Sequence, residues 1–322
     1  MKKTLMIAGL LLFVVIAGGL LYIYTAYPSV GAPPAVTVRA TPERIERGEY
    51  LVQHVVGCVD CHSSRDWKYY AGPIIKGTEG QGGERFGEEL GVPGTLYAPN
   101  ITPAGIGGWT DGELIRAMTS GVNKSGKPLF PLMPYPNFGQ LSQEDIHSVV
   151  AYIRSLPAVK NDVPERSLNF PMNLIVRTIP QVAHLQPAPD TSDEVAYGRY
   201  VITAASCGEC HTPMDQGKPI PGKEYAGGRE FKFPDGSIVR SANITPDKET
   251  GIGKWSKEFF INQFKQYGRP EALTIPAEPG KNTWMPWTMY AGMKEKDLAA
   301  IYSYLRSLPP VSQQIERYSK SM

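Results

Sequence analysis

Cysteine is scarce in this chain: 322 residues contain four cysteines and five histidines. All four cysteines fall in two five-residue blocks, so neither a disulfide framework nor an odd reactive thiol is left over. An excess of charge of one sign is missing too. The 33 Lys and Arg nearly balance the 31 Asp and Glu, the net charge is +2, and no basic run stands out, so a nucleic-acid function has no support. No stretch alternates apolar and polar residues long enough to announce a substantial sheet, which points to a mainly α fold. Glycine and proline are plentiful instead, at 33 and 29 residues, and describe a globular protein with much loop. The length suits about two domains of ordinary size.

The two cysteine blocks read Cys58-Val59-Asp60-Cys61-His62 and Cys207-Gly208-Glu209-Cys210-His211. Two thiols three residues apart on a helical turn can add to the two vinyl groups of one haem, and the adjacent histidine can reach its iron. Zinc and dithiol redox chemistry use similar spacings, but they leave both histidines unexplained. Two covalently bound haem c groups are therefore expected.

The blocks sit in an internal repeat of about 150 residues. Asn100-Ile101-Thr102-Pro103 pairs with Asn243-Ile244-Thr245-Pro246. Gly105 to Trp109 pairs with Gly251 to Trp255, and Met133-Pro134-Tyr135 pairs with Met285-Pro286-Trp287. Ile146, Val149, Val150, Ile153 and Leu156 mark one helical face, matched by Leu298, Ile301, Tyr302, Leu305 and Leu308, with Pro157 and Pro309 beyond. Each unit reads as helix, CxxCH, Gly-rich loop, short helix after the tryptophan, methionine loop and terminal helix, the order of a cytochrome c domain. The expected architecture is tandem cytochrome c-like domains, each wrapping one haem, behind one transmembrane helix. The boundaries drawn are 1–27 anchor, 28–40 Pro-rich linker, 41–160 first domain, 161–192 strap, 193–313 second domain and 314–322 tail.

A sixth iron ligand separates closed electron carriers from open catalysts, and methionine sulfur raises the potential. The repeat selects Met133 and Met285 from ten methionines, each followed by proline, which favours extended backbone before it. Met118, Met289 and Met293 align with Phe264, Asn137 and Leu141, which assigns them to packing. His54, His147 and His184 have no repeat partner. The iron ligands expected are His62 with Met133 and His211 with Met285. Asn100, Asn243, Trp109 and Trp255 are candidates to frame the haem and bind its propionates, with Arg47, Arg177 and Arg199 as possible counter-charges.

Lys2-Lys3 precede an apolar run from Leu5 to Ile23, with Tyr22, Tyr24 and Tyr27 at its far end. Nineteen residues at about 1.5 Å each span roughly 28 Å, close to the apolar thickness of a bilayer. The run is longer than a secretory signal core, and Pro33-Pro34 follow the nearest cleavage-like site, Val30-Gly31-Ala32. The reading is a retained single-pass anchor in the cytoplasmic membrane with the haem domains on the periplasmic face.

With both CxxCH motifs, the Asn-Ile-Thr-Pro and Gly-Ile-Gly-x-Trp blocks, the Met-Pro-Tyr/Trp loops and the strap segment Leu168 to Leu174, the chain resembles bacterial diheme and multiheme cytochromes c. Among these it is similar to the cytochrome subunits of periplasmic alcohol and gluconate dehydrogenases. The resemblance covers about residues 41 to 313. It implies electron transfer rather than catalysis, with a periplasmic dehydrogenase or respiratory complex and a terminal oxidase as redox partners. Those subunits typically carry three haems, where this chain has two motifs, and attach to the membrane on the C-terminal side. The competing reading is a diheme peroxidase, in which one haem has an open face.

Overall fold

The structure, a computed structural model, describes residues 1–320. Lys2–Ala26 forms one continuous helix, α1, none of whose residues is buried against the rest of the protein. The helix runs until Tyr27, which is extended and precedes Pro28.

The first unit starts at α2 (Pro42–Tyr50), where the Thr41 side chain caps the Arg44 amide and Pro42 takes the position at which a missing N–H costs nothing. Helix α2 continues into a single π turn, Leu51–Val55, and stops before Gly57, which adopts φ +69° ahead of the short α3 (Cys58–Cys61). A loop and two strands follow, β1 (Arg85–Phe86) and β2 (Gly94–Tyr97), then α4 (Pro103–Ile106) and α5 (Asp111–Ser120). A capping box between Thr110 and Glu113 starts α5. The unit's next helices are α6 (Tyr135–Phe138), directly after Met133-Pro134, and α7 (Gln143–Ser155). The strap holds β3 (Ser167–Leu168) and α8 (Met172–Ile175).

The second unit repeats the order with α9 (Glu194–Ala204) and α10 (Cys207–His211), a small hairpin of β4 (Met214–Asp215) and β5 (Lys218–Pro219), and strands β6 (Glu230–Lys232) and β7 (Ser237–Arg240). Helices α11 (Lys257–Lys265), α12 (Trp287–Tyr290) and α13 (Glu295–Ser307) complete it, followed by β8 (Tyr318–Lys320).

In each unit the helix before the haem motif crosses the terminal helix through a glycine. A Cβ on Gly48 would lie 1.9 Å from the Ser148 carbonyl oxygen, and one on Gly198 would lie 1.9 Å from that of Ala300. No other residue fits either crossing.

Two three-stranded antiparallel sheets were not apparent from the sequence, because strands of two to four residues are too short to show alternation. In one, β3 pairs with β2, placing Leu168 opposite Gly94; in the other, β8 pairs with β7, placing Tyr318 opposite Val239. This moves the expected boundaries. The first strap residues belong to the first unit, since Asn161 also donates to the carbonyls of Gln81 and Gly82. The segment after residue 313 belongs to the second unit, and Gln313 donates to the Gly227 carbonyl.

The two units share one apolar core, in which Leu51, Val52, Ile146 and Val150 are continuous with Ile202, Leu298, Ile301 and Leu305. A smaller core joins the two sheets through Phe86, Leu96, Phe231 and Val239. The polar contacts across the interface are exchanged symmetrically. Tyr200 donates to Asp145 at 2.6 Å and accepts from the Ser142 amide, while Tyr50 donates to Asp297 at 2.5 Å and accepts from the Lys294 amide.

Candidate functional site

Each CxxCH turn opens onto a cavity with its repeat-selected methionine on the wall. In the first unit a cavity of about 820 Å³ is lined by Cys58, Cys61, His62, Met133, Phe138 and Arg166. In the second, adjoining cavities of about 560 and 1020 Å³ share Cys207, His211, Met285, Tyr290 and Arg317. Thus all eight thiol, imidazole and thioether side chains singled out in the sequence come together as two sets of four.

The histidines are oriented alike. His62 Nδ1 lies 2.7 Å from the Pro99 carbonyl and His211 Nδ1 lies 2.8 Å from that of Ala242, so a backbone acceptor fixes the proton on Nδ1 and leaves Nε2 as the ligating nitrogen. Burial holds both imidazoles below their ordinary pKa, His211 to about 4, which favours the neutral form that binds metal. The carbonyls of the same histidines accept from Gly82 and Gly227, each at 2.7 Å, so the loop after each motif is fastened back on it.

Asn100 and Asn243 do not face the cavities. Asn100 donates to the Val159 carbonyl and accepts from the Thr102 hydroxyl and amide; Asn243 does the same with Val311 and Thr245. Both amides are spent bracing the Pro-containing turn against the segment after the terminal helix, which corrects the propionate reading. Trp255 lines the second unit's larger cavity, whereas Trp109 packs against the core and its carbonyl receives Arg154.

The proposed arginines are also reassigned. Arg47 pairs with Asp145 through two hydrogen bonds of 2.8 and 2.9 Å, and Arg177 binds carbonyls at the end of α1. Arg199 lines neither cavity. Arg166 and Arg317 stand on the cavity walls in their place, 151 residues apart and so at matching positions of the repeat. Neither forms an ion pair among the described residues, and burial pulls the Arg166 guanidinium below its ordinary pKa. The sequence held this signal in Glu165-Arg166 and Glu316-Arg317, a repeated pair that lies beyond the terminal helices.

His54 rests its ring on Gly292, with Nδ1 3.1 Å from the Met289 carbonyl, His147 is buried on α7, and the His184 amide donates to Gly139. Met118, Met289 and Met293 are buried in the shared core. The sites of the two units also touch one another. Arg65 is buried 3.2 Å from Asp60, in the first motif, and packs over the rings of Trp67 and Trp284 at 4.3 and 5.9 Å. Trp284 directly precedes Met285.

The residues fit haem. Each cavity offers the two thiols, the oriented imidazole, the thioether and a guanidinium for a carboxylate-bearing porphyrin. In the second, the buried Trp284 Nε1 also lacks an acceptor among the described residues.

Residues 195–309 match the cytochrome c family. The chain is 31% identical over 297 residues to the cytochrome c subunit of a quinone alcohol dehydrogenase from Gluconacetobacter polyoxogenes, covering 87% of this chain and 59% of that protein. It is 29% identical to the gluconate 2-dehydrogenase cytochrome c subunit of Pantoea cypripedii, over 84% of this chain and 60% of that one. A diheme cytochrome c-type protein of Cereibacter sphaeroides is 27% identical over 79% of this chain and 83% of its own length. The chain thus spans about three fifths of the length of the dehydrogenase subunits it matches. It carries a cytochrome c domain at residues 195–309, and its relatives are the cytochrome c subunits of alcohol and gluconate dehydrogenases and a diheme cytochrome c.

Proposed function

We propose that this chain is a membrane-anchored diheme cytochrome c that relays single electrons between a periplasmic dehydrogenase and the respiratory chain. The observation that carries this is the duplicated set of two thiols, a backbone-oriented histidine and a methionine around each cavity. When bound, haem supplies a reversible one-electron change at iron.

The chain's own residues do the rest. Cys58 and Cys61, and likewise Cys207 and Cys210, hold the group covalently, and His62 and His211 present Nε2. Met133 and Met285, on the cavity walls, would supply the thioether that makes a closed, electron-transferring site rather than one open to peroxide. Arg166 and Arg317 offset the carboxylates at the cavity rim, and Trp284 adds a donor in the second unit. The shared core and the exchanged Tyr–Asp contacts fix the two sites relative to each other, so relay between them requires no domain motion. The relatives' catalytic partners suggest the donor's class, and α1 with Tyr22, Tyr24 and Tyr27 at its outer end supports attachment to the cytoplasmic membrane with both units outside.

The test is the near-infrared methionine-to-ferric-iron band of the oxidised protein. Met133→Ala and Met285→Ala are each expected to remove about half its intensity, as expected for two His/Met sites. Absence of the band from the unaltered protein overturns the reading.

A further inference from the structure

The strap does more than join the units. Arg177 reaches from it to the outer end of α1, where its guanidinium donates to the carbonyls of Tyr24 at 3.2 Å and Tyr27 at 2.6 Å and lies 4.8 Å from the Tyr24 ring centroid. Carbonyls of a helix's last turn have no partners within the helix, so a side chain that caps them fixes its own segment to that end. At about 1.5 Å per residue α1 is roughly 37 Å long, against about 30 Å of hydrocarbon. Tyr22, Tyr24 and Tyr27 then mark the outer boundary of the bilayer.

The segment tied to that boundary is apolar and exposed. Between Arg166 and Arg177 there is no charged residue, and none of the residues of α8 is buried. Phe170 is 79% exposed and Ile175 44% exposed. The segment is also held at both ends, by the pairing of β3 with β2 and by Arg177, while the buried Val176 seats it on the body. Aqueous exposure of a fixed phenylalanine and isoleucine at this level has a physical counterpart in interfacial segments that lay an apolar face among lipid headgroups.

We propose that Leu168 to Ile175 is a second, shallow membrane contact, with Phe170 and Ile175 inserted at the lipid interface beside the outer end of α1. It rests on the anchor reading of α1. Lipid is favoured over a protein partner because Arg177, just beyond the segment, is bound to the outer end of the membrane helix and so holds the patch at bilayer level. The contact adds a second fixed point to the attachment at residues 28–34 and so sets the tilt of both haem units above the membrane.

The test uses the full chain with its haems, in phosphatidylcholine vesicles, carrying a nitroxide on a cysteine introduced by Phe170→Cys, Ile175→Cys, Phe259→Cys or Leu12→Cys. Collisions with oxygen, which concentrates in lipid, are compared with those of an aqueous nickel chelate. Labels at 170 and 175 are expected to favour oxygen, less strongly than the label at 12, while the label at 259, an exposed phenylalanine on the second unit, favours nickel. A deep label at 12 with nickel-accessible labels at 170 and 175 overturns the shallow contact and leaves the anchor standing. A label at 12 open to nickel overturns the anchor and the contact with it. Labels at 170 and 175 shielded from both reagents indicate a covering protein and also overturn the lipid assignment.

Discussion

Arg166 and Arg317 each bring a positive charge to a cavity wall without an ion-pair partner of their own among the described residues. A cation beside a haem opposes the extra positive charge of ferric iron and so raises the potential. Arg166→Gln is therefore expected to lower one wave of a spectroelectrochemical titration and leave the other in place, and Arg317→Gln to lower the complementary wave. A tenfold change in the one-electron equilibrium corresponds to about 59 mV, and a shift of that order is expected for each. The lysine replacements keep the charge and restore most of the shift. Two variants that move the same wave, or neither, would remove these arginines from the haem sites. At this scale the sequence was informative where a residue's chemistry is singular: paired thiols with histidine, and a methionine marked by its recurrence. It misled where a side chain has two equally good uses. An amide such as Asn100 can serve a cofactor or its own backbone, and only the carbonyl of Val159, 59 residues away, decides.

The helices were legible because their apolar spacing, caps and terminal prolines agree, and because each appears twice. What the pattern could not show is how closely they cross. Gly48 and Gly198 let α2 and α9 lie directly on the backbone of α7 and α13, and an added methyl group meets a carbonyl oxygen that cannot rotate away. Gly48→Ala and Gly198→Ala are each expected to destabilise the protein by about 1–3 kcal/mol, the usual cost of overpacking, seen as a lower thermal midpoint of the holoprotein. Alanine at Gly126, whose added Cβ meets nothing within 4 Å, is the control for a crowding effect, its positive φ of +73° costing strain without a clash. The short strands escaped sequence reading for a different reason. Residues 167–168 and 318–320 are held by register against β2 and β7, and their own composition carries no period. The domain boundaries drawn from helices alone therefore fell short of both.

The interface between the units is built from one motif used twice. Tyr200 of the second unit completes Asp145 of the first, and Tyr50 of the first completes Asp297 of the second. The copies differ in their charges: Asp145 also has Arg47, whereas the matching position in the second unit is Tyr197, a neutral donor 3.0 Å from Asp297, and Lys294 lies over the Tyr50 ring where the first unit has Ser142. Because the apolar core runs through the same interface, the two units are expected to unfold together. Asp145→Ala removes the carboxylate that Tyr200 and Arg47 share, at a total cost of about 1–3 kcal/mol, and should lower the midpoint followed in either unit equally. Alkaline pH should loosen the same joint. Burial and the facing aspartates raise the hydroxyl pKa values of Tyr50, Tyr197 and Tyr200 well above their ordinary value. A raised folded-state pKa gives stability that is fully present below the unfolded value, near 10, and lost as pH rises beyond it. The midpoint of the intact protein is thus expected to fall steeply above pH 10, and less steeply in a Tyr50→Phe/Tyr200→Phe double variant, which starts from a lower midpoint but has two fewer hydroxyls to ionise. Equal slopes in the two proteins would show that the exchanged tyrosines do not hold the units together, and separate midpoints at the two haems would show two independent domains.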